Sequence, residues 1–187
     1  MKTILIKDIM VPLSEYATVN EEDTLKKAIK TLQKTQTHND PKSYKYRAIL
    51  VYDKQNNIVG KISAFDVLRS LEPKYCQIGQ PEKMSKMGLS RFGLSNDFLS
   101  SMMERYCLWE DSLENLVKTA SKLKAKDIMY SLEEGEYVDE SASIADAIHQ
   151  LILGHHQSLL VSKANKVIGI LRLSDVFKLV CDVMIPV

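Results

Sequence analysis

The stretch GKISAFD, Gly60 to Asp66, follows the apolar-leaning NNIV and reads as the end of a strand turning into a helix. Near the other end of the chain GILRLSD, Gly169 to Asp175, keeps the glycine and the aspartate but has Arg172 in place of Ser63. Two such turns point to a duplication, and internal similarity is sought before anything else in a chain of this size. KDIM occurs at Lys7–Met10 and again at Lys126–Met129. At the same spacing VNEEDTLKKAIKTL (Val19–Leu32) lies over VDESASIADAIHQL (Val138–Leu151), with Val19, Glu21, Ala28, Ile29 and Leu32 identical to their counterparts. The spacing shortens downstream, where KTQTHNDPKSYKYR in the first copy faces only LGHH in the second. That polar segment, with Asn39, Asp40 and Pro41, reads as an extended surface loop.

Each copy shows the same order of elements. A short strand ends at Val19 or Val138, and a polar cap leads into a helix with apolar residues at helical spacing. These are Leu25, Ala28, Ile29 and Leu32 in one copy, and Ile144, Ala147, Ile148 and Leu151 in the other. A buried strand follows (AILVY, Ala48–Tyr52; SLLV, Ser158–Val161), then a turn and a second strand, which together read as a hairpin. A closing helix begins near Ala64 or Leu173. The order β-α-β-β-α leaves a sheet face uncovered in one unit, and a second copy can cover it. The expected fold is therefore α/β in the α+β sense, with two repeats packed about a pseudo-twofold axis. Residues 1–71 and 125–187 form the repeats, and 72–124 form a connector. From Ser95 onward, Leu99, Met102, Met103, Tyr106, Trp109, Leu113, Leu116, Val117 and Ala120 recur at three- and four-residue steps, which predicts one long amphipathic helix. Its apolar face packs on its own module or serves a partner.

Composition bounds the function. Apolar residues are 45%, charged residues 26% and the net charge is +1, so no overall field favours nucleic acid or a membrane surface. Three scattered cysteines, Cys76, Cys107 and Cys181, fit a reducing compartment better than a disulfide framework. No signal peptide and no membrane span is expected, and a cytoplasmic location is the default. Enzyme chemistry is not expected either: GxSxG, HExxH and Walker loops are missing, and the adjacent His155 and His156 lack metal-site spacing.

The turns carry what chemistry there is. Ser63-x-x-Asp66 before an apolar run is close to a capping box, in which side chains satisfy the first helix amides. Arg172 cannot accept from those amides, yet Asp175 remains, so the acid has a use besides capping. A helix N-terminus favours a phosphate, and a carboxylate one turn in can accept hydrogen bonds from a diol such as ribose.

The duplicated unit resembles a pair of CBS domains, the tandem also called a Bateman module. The resemblance rests on the two DIM heads (Asp8–Met10, Asp127–Met129), the shared element order and the Gly-x-x-Thr/Ser-x-x-Asp turn, with Lys61 at a normally apolar position. It implies a stand-alone regulatory module that binds an adenine nucleotide (AMP, ADP, ATP or a related adenosyl compound) between the repeats and requires no cofactor. Ser63, Asp66 and Asp175 would hold ribose and phosphate. Adenine would sit against Thr18, Val19, Ile49 and Leu50 in one copy and Tyr137, Val138 and Leu159 in the other, although neither hairpin strand carries the family's frequent proline. Arg172 either binds phosphate directly, which is the preferred reading, or fills its own crevice. Arg47, His155 and His156 are further phosphate candidates. The resemblance also implies a homodimer and an effector protein that the sequence does not name. The alternative is a dimeric interaction scaffold with vestigial pockets.

Overall fold

The computed structural model describes residues 4–36, 48–78 and 95–185. Each copy forms the expected elements. The first has β2 (Thr18–Asn20), α1 (Leu25–Gln36), β3 (Ala48–Tyr52), β4 (Ile58–Ser63) and α2 (Ala64–Leu71). The second has β6 (Tyr137–Asp139), α6 (Ile144–Leu153), β7 (Ser158–Lys163), β8 (Lys166–Arg172) and α7 (Leu173–Met184). Within each copy the first strand runs parallel to the second, with Val19 beside Val51 and Val138 beside Val161, and the hairpin is antiparallel. The tip of the second hairpin places Ala164 and Asn165 at positive φ (47° and 62°), the twist that two-residue turns need to match their strands.

The two KDIM heads cross over. β1 (Val11–Pro12) follows the first head but pairs antiparallel with β8, Val11 opposite Ile170 and Pro12 opposite Gly169. β5 (Tyr130–Ser131) follows the second head but pairs with β4, Tyr130 opposite Lys61 and Ser131 opposite Gly60. The sheets therefore run β1-β8-β7-β6 and β2-β3-β4-β5, each completed by a strand from the other repeat. Sequence similarity alone groups each head with the elements after it, whereas the chain spends each head on its neighbour.

The paired glycines explain how the crossing strand gets so close. A Cβ on Gly169 would lie 2.6 Å from the Val11 carbonyl oxygen and 2.9 Å from Met10 Sδ. On Gly60 it would lie 2.5 Å from Met129 Sδ and 2.9 Å from the Tyr130 carbonyl oxygen. Only glycine leaves room for a backbone at that distance. The heads also plug the cores. Ile6 (0% exposed) joins Val138, Ala147, Leu151, Leu159, Val161, Leu171 and Val176 of the second copy. Short helix α5 (Ala125–Ile128) gives Ala125 and Ile128 to the first core, beside Val19, Leu25, Ala28, Ile49, Val51 and Ile62. A third cluster lies between the sheets, built on Tyr16, Leu50, Leu160 and Ile170. Docking is finished by backbone bonds: Leu25 N–H donates to the Leu123 carbonyl (2.8 Å) and Ala125 N–H to that of Asp23 (2.8 Å). Glu22 accepts from Lys124 and Lys126, each at 2.6 Å, and these hydrogen bonds, that of Lys124 foremost, lower its carboxyl pKa to about 2.

The connector departs from expectation. In place of one long helix there are two, α3 (Asn96–Arg105) and α4 (Leu113–Ala120). Ser95 caps α3 by accepting from Phe98 N–H (3.1 Å), and Ser112 caps α4 by accepting from Asn115 N–H (3.3 Å). Between them Cys107 (φ 49°) and Trp109 (φ 62°) adopt left-handed conformations while Leu108 is buried. Such residues cost on the order of 1–3 kcal/mol each and persist only where their surroundings hold them. Through the break Leu108 is buried, while Trp109 stays exposed and ties back to the end of α2 by its backbone N–H.

Replacing Gly169 with Ala places a methyl group against fixed backbone. Gly169→Ala is expected to lower stability by about 1–3 kcal/mol in urea unfolding, the usual cost of overpacking. A neutral effect would contradict the close approach of β1 to β8.

Candidate functional site

The first turn is a closed capping box. Ser63 ends β4 and starts α2. Asp66 Oδ2 accepts from Ser63 N–H (2.8 Å) and from the Ser63 hydroxyl (2.6 Å), and Asp66 N–H donates back to Ser63 Oγ (3.3 Å). The carboxylate is only 6% exposed, with Arg69 Nη2 3.9 Å from its second oxygen. Helix capping accounts for this geometry by itself. It also leaves a desolvated acid at the head of a helix, with its orientation fixed.

The second turn reaches the same end by other means. Arg172 makes no side-chain cap to the helix amides. Instead Arg172 N–H (3.1 Å) and Nε–H (2.7 Å) donate to Asp175 Oδ2, and Nη2 donates to Oδ1. A planar guanidinium matches a carboxylate with two parallel bonds, a stronger arrangement than one hydroxyl provides. The exchange of Ser63 for Arg172 thus preserves a donor on the aspartate. Both side chains are largely buried and hold each other.

The other expected residues fall into three groups. Val19 and Ile49 lie in the first core, Val138 and Leu159 in the second, and Leu50 between the sheets. Their side chains are occupied by packing. Tyr137 sits beside the inter-sheet cluster, where burial and the charge of Glu136 raise its phenol above the usual value. Thr18 lines an open hollow of about 340 Å³ with Leu13, Ser14, Tyr52, Asn56 and Ile58. His156 lines another of about 510 Å³ with Gly135, Asp146, His149, Gln150, Leu153 and Gly154. His155 is exposed at φ 49°. Neither hollow is lined by Ser63, Asp66, Arg172 or Asp175. The histidine loop does meet the second turn, since Leu173 N–H donates to the Gln157 carbonyl (2.9 Å). Arg47 lies outside the described residues. No metal-binding cluster is found among the described residues.

Sequence reading missed a charged pair across the seam. Lys61 Nζ, which stacks 5.3 Å from the centroid of the Tyr130 ring, donates to Glu136 Oε1, with the Lys61 side chain 18% and that of Glu136 2% exposed. Glu136 Oε2 accepts from Glu133 N–H (3.1 Å), and His156 Nδ1 stands 3.9 Å from Oε1. Aligning the repeats places Lys61 over Ile170 and Glu136 over Ala17, both buried and apolar. One copy therefore has an ion pair where the equivalent positions of the other are apolar. The alignment carried this signal, because two buried positions change character together.

A family model for the CBS domain matches residues 6–73 and 125–182. The chain belongs to the CBS-domain family. CBS-domain proteins are generally regulatory rather than catalytic. Among solved structures, the chain resembles the CBS domain of a CBS domain-containing membrane protein from Sphaerobacter thermophilus at 23% identity, covering 95% of this chain and 88% of that one, with a TM-score of 0.60. A CBS domain-containing protein of unknown function from Bacillus anthracis shares 18% identity over 96% and 94% of the two chains (TM-score 0.61). CBSX2, crystallised in complex with AMP, shares 19% over 97% and 98% (TM-score 0.57). These likenesses show the fold as a tandem CBS pair. No curated protein matches the chain in sequence. Among the described residues no helix is long and apolar enough to cross a membrane.

Removing one partner of the buried pair leaves the other charge uncompensated. Lys61→Met is expected to cost about 3–5 kcal/mol, whereas the double change Lys61→Ile with Glu136→Ala, which copies the apolar residues at the equivalent positions, is expected to be near neutral or stabilising. Denaturant unfolding of both variants checks this, and equal losses would contradict a compensated pair.

Proposed function

We propose that the chain is a regulatory module that binds an adenine nucleotide at the Ser63–Asp66 turn. The observation that carries this reading is the oriented, nearly buried Asp66 at the head of α2, in a family with a structural relative crystallised with AMP. A ribose diol supplies two hydroxyl donors to Asp66, taking over the donation now made by the Ser63 hydroxyl. The first amides of α2 and its positive end then face the phosphate. Because Val19, Ile49 and Leu50 spend their side chains in packing, adenine is left the backbone of β2, the edge strand that begins at Thr18. Arg47, His155 and His156 stand as phosphate candidates. The second turn fills less readily, since a diol there must displace the Arg172 guanidinium from Asp175, and a phosphate that recruits Arg172 would make that exchange easier.

The output is proposed to reach an effector protein through a homodimer. Phe65 and Leu68 on α2 and Phe177 and Met184 on α7 are each at least 60% exposed, an apolar surface of the kind that marks association. The free thiols of Cys107 and Cys181 suit a reducing, cytoplasmic setting.

Thermal unfolding with AMP, ADP and ATP tests the reading. A nucleotide at about a hundredfold its dissociation constant is expected to add roughly 2.7 kcal/mol of stability. Asp66→Ala also removes a cap, worth about 1 kcal/mol, so the ligand-dependent gain is compared rather than the absolute midpoint. Asp66→Ala is expected to abolish most of that gain. A gain that survives moves the site elsewhere, and no gain with any nucleotide favours the scaffold reading. Sedimentation of the same samples is expected to show a dimer, and a monomer would remove that part.

A further inference from the structure

The carboxylate of Glu72 is buried (3% exposed) and takes no part in the nucleotide turns. It stands at the C-cap of α2, one residue beyond its last turn. Glu72 Oε2 accepts from the backbone N–H of Trp109 (2.8 Å), and Oε1 from that of Lys74 (3.2 Å). Further contacts close the joint. Trp109 Nε1–H donates to the Tyr75 hydroxyl (3.0 Å), and the two rings meet edge to face at 6.2 Å. Lys74 Nζ donates to the Cys107 carbonyl and lies 3.6 Å from Glu110. The two left-handed residues, Cys107 and Trp109, are the ones held here.

We infer that Glu72 is a latch that couples the Ser63–Asp66 turn to the connector between the repeats, with α2 as the rigid lever. This rests on the nucleotide reading for the identity of the trigger. α2 has eight residues, so it has little length over which to bend. Asp66 at one end and Glu72 at the other lie about 9 Å apart along the helix rise. Arg69 joins them: its guanidinium faces Asp66 Oδ1 at 3.9 Å, and its carbonyl accepts Glu72 N–H at 3.3 Å. α2 also packs along its side against α4. A diol that takes the Ser63 donation away from Asp66 loosens the start of α2. The displacement reaches Glu72, the strained Tyr106–Ser112 turn, and the exposed Leu113 and Val117 of α4. The connector is thereby the part of the surface that reports occupancy.

The chain's sole tryptophan lies in the latch, so its emission reads the joint directly. In the ligand-free full chain, Asp66→Asn and Glu72→Gln are combined in a double-mutant cycle by urea unfolding. Sites about 9 Å apart add when they share no partner; the latch, which joins these two through Arg69, predicts that they do not. Additive effects overturn the coupling whatever AMP does. In the second arm AMP is titrated with calorimetry and fluorescence in parallel. AMP binding is expected to shift Trp109 emission to longer wavelength, and Glu72→Gln is expected to change the AMP dissociation constant by about fivefold or more. AMP that binds with heat yet leaves the emission unmoved overturns the latch while the nucleotide reading stands. AMP that gives no heat, together with a non-additive cycle, removes the nucleotide trigger while the mechanical coupling stands. Should Glu72→Gln fail to fold, Tyr75→Phe, which removes the acceptor of the Trp109 indole N–H, replaces it in both arms with the same expected outcomes.

Discussion

The approach of one backbone to another at two glycines governs the rest of the molecule. Gly169 admits β1 and Gly60 admits β5, each within a distance that any side chain would block. Because each crossing strand belongs to the other repeat, neither sheet is complete in its own copy. The heads that carry these strands fill the opposite cores, with Ile6 in one and Ala125 and Ile128 in the other. Duplication here is a structural requirement: each repeat supplies what its neighbour lacks, and a non-local exchange ties the two together.

The two repeats differ in chemistry at equivalent positions. Lys61 and Glu136 form an ion pair, while the equivalent positions, Ile170 and Ala17, are both buried and apolar. A buried pair of this kind adds little net stability over an apolar match and penalises any arrangement that separates the charges. A head docked on the wrong sheet would leave Glu136 without its lysine. The asymmetry also separates the two turns. Asp66 is bonded by Ser63 with Arg69 only at 3.9 Å, whereas Asp175 is gripped by an arginine that a ligand must first move.

Much of this was legible in the sequence. The KDIM heads, the helical spacing of Leu25, Ala28, Ile29 and Leu32, and the Ser63–Asp66 cap all follow from local rules of spacing and side-chain chemistry, and the structure bears them out. The paired glycines were visible too, but their reason was not. A glycine inside a strand says that something comes close without saying which segment does. The exchange of heads is a long-range choice, and similarity groups neighbours in the chain. The break in the connector was masked because Tyr106, Trp109 and Leu113 keep a helical spacing across the turn; the Asp111–Ser112 cap before α4 was the available clue. The sequence leaves open whether Arg172 meets a phosphate or fills its own crevice, and only three dimensions show its guanidinium folded onto the aspartate three residues on.

The functional account follows from the same architecture, since α2 and α7 begin where the exchanged sheets end, and each turn takes its position from strands braced by the other repeat. Native-state hydrogen exchange under mild urea tests that architecture most directly. The account predicts that protection around Val11 is lost together with that of residues 166–172, on which β1 docks, and that protection around Tyr130 is lost with that of residues 58–63. If the Val11 segment instead opened with residues 18–20 and 48–52 of its own copy, the crossing of the heads, and all that rests on it, would be contradicted.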